Sequence, residues 1–262
     1  MKRQISTADW LPLAKPQGIG SDAPTGEAFR VEWIDFERGI RVGNLEPHER
    51  ITQILKFHLE QRYRTGFVTD RWGRGVYWQW ICWLPRANRE AKRISRNVNF
   101  GCAKFFISAE RERRIFKSGL QIERGYAVGP EPYPGCLLKD DWDWHRLIAQ
   151  CAVGSQLDKE IHRLIKREGF SVEVGDFEAN KVFTRKDFES ARQIAEAARN
   201  YSKREWAGFQ LYYPMTEKEL RTCTGFEFVN AVCGVFEEVM VAMNCCMQVK
   251  LSGRESLPCA AQ

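Results

Sequence analysis

The chain has 262 residues, 44% hydrophobic and 28% charged. Those proportions exclude wholesale disorder and allow a core large enough to need no disulfide staples. The net charge of +6 is unevenly placed. Residues 30–126 hold 20 bases against 11 acids, a balance of +9, while residues 1–29 are neutral and residues 127–262 carry −3.

In chain order, residues 1–28 contain three prolines and little periodicity, and are expected to form an irregular arm. Phe29–Phe36 alternates apolar and polar residues, which predicts a first strand, with a second at Ile40–Val42. Pro47 opens a helix whose core-facing stripe is Ile51, Ile54, Leu55, His58, Leu59 and Arg62, ending near Arg64. Arg71-Trp-Gly-Arg-Gly75 is expected to be a flexible basic loop.

Val76–Leu84 is the densest aromatic run. Strict alternation would put Val76, Trp78, Trp80 and Cys82 on one face and Tyr77, Gln79, Ile81 and Trp83 on the other, which predicts a strand covered on both sides. Ala87–Arg96 is too basic for a core segment and is expected to be a short helix or loop. Asn99–Ser108 is expected to be a strand and Arg114–Ala127 to contain another, the two forming a hairpin or meander.

Three prolines and two glycines within Gly129–Gly135 mark the best boundary. Beyond it the pattern predicts helices at 141–152 and 156–168, strands at 170–174 and 181–183, a helix at 186–201 with Thr184 as its N-cap, a strand at 206–213, and helices to about 248. The expected fold is α+β, with a mostly antiparallel sheet in the N-terminal half packed with helices and a helix-rich C-terminal half. The expected organisation is a 1–28 arm, a basic α+β subdomain at 29–128, a helix-rich α+β subdomain at 136–250 and a 251–262 tail.

The longest apolar stretch, Phe226–Met247, includes Glu237 and Glu238. Two adjacent carboxylates are costly in lipid, so this reads as a core helix and no transmembrane segment is expected. Nine cysteines form no Cys-x-x-Cys spacing, and the N-terminus lacks an apolar run of signal-peptide length. A reducing, cytoplasmic setting with free thiols is expected. Cys259-Ala-Ala-Gln262 has the form of a prenylation box, more readily read as a chance match in a cysteine-rich tail.

Two constellations could carry function. The first is basic. Sixteen of the 20 bases in residues 30–126 are Arg, whose planar fork pairs with phosphate and stacks on aromatic rings. Arg62, Arg64, Arg71, Trp72 and Arg74, followed by Arg86, Arg89, Lys92, Arg93 and Arg96, could supply phosphate contacts and a stacking surface for unpaired bases. The expected partner is nucleic acid or an acidic protein surface. The second is Asp140-Asp-Trp-Asp-Trp-His145. Asp141, Asp143 and His145, with His162, could ligate a divalent metal. The competing reading is a helix start, with acids favoured by the helix dipole.

No Gly-x-Ser-x-Gly, His-Glu-x-x-His or phosphate-binding loop is present. The leading expectation is therefore a non-enzymatic protein that binds nucleic acid through its basic face, with no cofactor. The alternatives are a metal-dependent hydrolase or nuclease using the acidic cluster, and a protein–protein adaptor or inhibitor with an Arg-rich face.

Overall fold

The computed structural model describes residues 25–95, 98–129, 134–176 and 180–252. Its described residues form a nine-stranded antiparallel sheet with seven α-helices. The strands are β1 (Ile34–Asp35), β2 (Gly39–Arg41), β3 (Phe67–Arg74), β4 (Tyr77–Pro85), β5 (Lys104–Glu110), β6 (Ile115–Gly125), β7 (Ser171–Gly175), β8 (Asn180–Phe183) and β9 (Ala207–Thr216). The helices are α1 (Ile51–Tyr63), α2 (Arg86–Glu90), α3 (Asp143–Gln150), α4 (Gln156–Lys166), α5 (Arg192–Asn200), α6 (Glu217–Arg221) and α7 (Gly225–Cys246). The fold is α+β.

The strand order is β1-β2-β4-β5-β6-β9-β7-β8, and β3 pairs with the remaining edge of β4. β6 and β9 pair from Ile115↔Thr216 to Gly125↔Ala207. Strands from both sides of the Gly129–Gly135 stretch therefore lie in one sheet.

One face of that sheet is covered by helices. Phe105 and Ile107 of β5, Phe116, Leu120 and Ile122 of β6, and Phe209 and Leu211 of β9 are fully buried there. α7 is the spine of the helical layer. Its N-terminus is a capping box in which Thr224 and Glu227 satisfy each other's backbone N–H groups. Gly225 fits where a Cβ would stand 1.7 Å from the Phe29 carbonyl oxygen. The helix is apolar on most sides because it touches both the sheet and α1, α3 and α4. The two carboxylates in its middle each meet an arginine of a flanking helix: Glu237 pairs with Arg62 at 2.8 Å and Glu238 with Arg163 at 2.6 Å. No described helix is long and apolar enough to cross a membrane.

Several expectations are corrected. Val31–Trp33 is a 3-10 turn and only Ile34–Asp35 of that run is a strand. The Arg221 guanidinium donates to the carbonyls of Val31 at 2.8 Å and Ile34 at 2.9 Å, satisfying acceptors that a ladder would otherwise serve. Thr184 does not cap a helix. It opens a turn, with Lys186 N–H donating to its hydroxyl, and α5 starts only at Arg192.

The Arg71–Gly75 segment is not a loop, because Arg71–Arg74 complete β3 and the chain turns at Gly75, whose φ of 62° suits glycine. A register shift between Trp72 and Gly73 leaves Gln79 unpaired opposite them. That bulge changes the faces of β4 from strict alternation. Trp78, Ile81 and Trp83 join the helical core, whereas Cys82 and Leu84 belong to a small cluster on the opposite face with Trp80 against it. The N-terminal arm and the Cys259–Gln262 box lie outside the described residues.

Candidate functional site

Among the described residues β3 is an edge strand, pairing with β4 alone. Edge strands leave one row of backbone groups unpaired, and natural proteins commonly blunt them with charge. β3 does so with Arg71 and Arg74, and it also presents Trp72, which is 69% exposed.

The side chains alternate. Asp70, Trp72 and Arg74 point to the face of the sheet away from the helical layer, and Trp72 stands directly opposite Trp80 of β4. Arg71 points to the other face, where its guanidinium lies 3.6 Å from the centre of the Trp78 ring. The neighbouring Arg38 lies 3.9 Å from the centre of Tyr77. These stacks hold two guanidinium groups in place without neutralising them. Asp70, the acid on the same strand, is engaged by Arg71 N–H at 2.8 Å and by the Asn99 amide at 2.9 Å.

Trp80 is half-buried and anchored, its Nε1–H donating to Gln121 Oε1 at 2.7 Å. Gln121 also accepts from Gln210 at 3.1 Å. Beneath them Lys104 is fully buried and ion-paired with Glu123. Burial alone would lower the Lys104 ammonium, but the adjacent carboxylate outweighs it and holds the group above its ordinary range. Further along the same face Lys117 bridges Glu110 at 2.7 Å and Glu173 at 2.9 Å. This face therefore combines internally paired polar groups with the small buried apolar cluster of Cys82, Leu84 and Phe106.

The other expected basic residues are distributed as follows. Arg64 is the exposed left-handed cap of α1, with φ 50°. Arg86 and Arg93 are exposed and Arg89 is half-buried. Among the described residues no carboxylate is ion-paired with Arg64, Arg71, Arg74, Arg86 or Arg93, whereas Arg62, Arg111, Arg113 and Arg114 each meet a glutamate. Arg96 lies outside the described residues.

Lys92 is a correction. It is completely buried, with its Nζ 2.6 Å from Asp143 Oδ1 and donating to the Asp141 carbonyl at 3.0 Å. It cannot reach a phosphate, because it is consumed in joining the segment after α2 to the start of α3. Basic neighbours in the sequence concealed that one of them points inward.

The acidic cluster is likewise committed. Asp143 is fully buried and accepts from Lys92, from Asn88 Nδ2 at 2.7 Å and from Ala103 N–H at 2.7 Å. Asp141 accepts from the N–H groups of Ile94 at 2.7 Å and Ser95 at 3.0 Å. Partial burial opposes its charge, but the Ser95 and Ile94 donors and the nearby Lys92 hold its carboxyl below the usual range. His145 is exposed, and the exposed His162 lies with its ring tilted against Phe188. The four expected ligands are therefore not brought to one point. Among the described residues no three His, Cys, Asp or Glu side chains gather to hold a metal ion.

Sequence reasoning missed the Lys92–Asp143–Asn88 node and the Lys104–Glu123 pair. A lone lysine in an apolar strand, as in Cys102-Ala-Lys-Phe-Phe106, was the available signal for the second. Comparison with protein-family models, with curated proteins and with solved structures finds no match for this chain.

Proposed function

We propose that this protein binds nucleic acid through the cationic, aromatic edge made by β3 and the turns at its two ends. The observation that carries the reading is Trp72, 69% exposed on an edge strand between two arginines that have no carboxylate partner among the described residues. A large aromatic ring left in water at the centre of unpaired positive charge gains from a partner with anionic phosphates and flat bases. Arg64 and Arg86 extend the charge to the far end of the hairpin, because the Arg86 N–H bonds to the Gly66 carbonyl at 2.9 Å. Over eight residues the edge is about 26 Å long, enough for several phosphates.

The test compares wild type with a variant carrying Arg71→Glu, Arg74→Glu, Arg86→Glu and Arg93→Glu on DNA and RNA oligonucleotides at about 150 mM salt, where the Debye length is about 8 Å and loose attraction is screened. Wild type is expected to bind, with an affinity that falls steeply as salt rises. The variant is expected to lose binding while keeping its melting curve. Equal binding by the two proteins, or none by wild type, refutes the proposal, and the second result redirects the search to an acidic protein partner.

A further inference from the structure

We infer that the ligand of this face is single-stranded nucleic acid, with one unpaired base stacked on Trp72. The inference rests on the nucleic-acid reading above and narrows it.

The structure distinguishes the rings of this hairpin by what already occupies them. The face of Trp78 carries the Arg71 guanidinium at 3.6 Å, and that of Tyr77 carries Arg38 at 3.9 Å. Trp83 is fully buried, and Trp80 is half-buried with its N–H spent on Gln121. Trp72 alone among these rings is largely in water, on an extended strand that projects it from the sheet.

An exposed indole with no ring or hydrogen-bond partner among the described residues is costly to keep in water, and a flat base is its natural cover. Within a duplex the base faces are already stacked on one another, so away from the two ends only an unpaired base can supply one. Phosphate contacts stand in register. Arg74 is two residues from Trp72 on the same face, about 7 Å along the strand. Arg71 lies on the opposite side of the same edge, its guanidinium held over Trp78. The single carboxylate of β3, on Asp70, is already covered by donors from Arg71 and Asn99. The arrangement combines sequence-tolerant stacking with one cation, Arg74, on the face of the ring and a second, Arg71, held at the same strand edge.

The experiment measures anisotropy of fluorescein-labelled oligonucleotides about 12 nucleotides long, single-stranded and as a blunt duplex, at about 150 mM salt. The proteins are wild type, Trp72→Ala, Trp72→Phe and Arg71→Glu/Arg74→Glu. Each is melted first, and because Trp72 is exposed its variants are expected to melt with wild type. Wild type is expected to prefer the single strand. Trp72→Ala is expected to bind it about 5- to 150-fold more weakly, the loss of one stacked base, with Trp72→Phe keeping most of the affinity. Weak duplex binding is expected to be the same in wild type and Trp72→Ala.

If Trp72→Ala binds the single strand as wild type does while the arginine variant does not bind, or if wild type prefers the duplex, the stacking inference falls and the basic-face proposal stands. If wild type binds neither form, both fall.

Discussion

The node around Asp143 gives the sharpest test of how this fold is held. Three segments distant in sequence meet at one carboxylate that water does not reach: Asn88 and Lys92, the Ala103 N–H before β5, and the first turn of α3. Asn88 also accepts from the backbone of Gln248 at 3.0 Å and Val249 at 3.2 Å, tying in the chain after α7. Removing one partner of a buried ion pair costs about 3–5 kcal/mol, because the other charge stays buried without compensation. The orphaned Ala103 N–H adds about 1–3 kcal/mol. Asp143→Ala is therefore expected to cost at least about 4 kcal/mol, a large part of the roughly 5–15 kcal/mol that keeps a typical domain folded. In melting temperature that is a drop of about 8–16 °C for a chain of this size. Urea unfolding followed by tryptophan fluorescence reads the loss. Asp143→Asn keeps one acceptor and is expected to fall between wild type and Asp143→Ala. Adding Lys92→Met to Asp143→Ala removes the stranded ammonium and is expected to recover about 2 kcal/mol or more. A loss below about 1 kcal/mol in Asp143→Ala, or no recovery in the double variant, refutes the account.

Trp83 and Trp80 lie on opposite faces of β4 and differ in burial, so truncating them should differ too. Trp83→Ala, which empties a fully buried site against Phe236 and frees the Thr52 carbonyl, is expected to cost about 3–5 kcal/mol. Trp80→Ala, half-buried, is expected to cost less, and equal losses in chemical denaturation refute the assigned faces. His58 supplies a pH dependence. Burial pushes its imidazole below the ordinary value of 6.5, outweighing a hydrogen bond with the Thr25 backbone, so the unfolded chain takes up the proton more readily than the folded one. The stability it contributes is present above about pH 6.5 and is lost as pH falls from there toward the lower folded-state value. His58→Gln is expected to flatten the stability–pH curve below about pH 6.5, and identical slopes for the two proteins overturn the assignment.

The amino-acid sequence by itself determined the α+β class, α1, the aromatic strand β4, most of the helices and strands after it, and the concentration of positive charge before residue 127. These are local properties: the 3.6-residue stripe of Ile51, Ile54, Leu55 and Leu59, the apolar run of β4, and the Thr-x-x-Glu boxes that start α6 and α7 each carry their own signal. β3 escaped detection because Thr69–Arg74 carries no apolar alternation. The edge position demands none, and the ladder to β4 holds the segment extended.

Only the tertiary structure decided which charges are free. Lys92 and Arg93 are neighbours in the chain, yet one is sealed against Asp143 and the other stands in water, because the segment after α2 is pinned to α3 from across the fold. Likewise Trp72, Trp78 and Trp80 look alike in the sequence. The bulge at Gln79 sorts them into an exposed ring, one stacked under an arginine and one anchored to Gln121. Pairing of charges and occupancy of rings are contacts between residues far apart in sequence, and no local pattern encodes them.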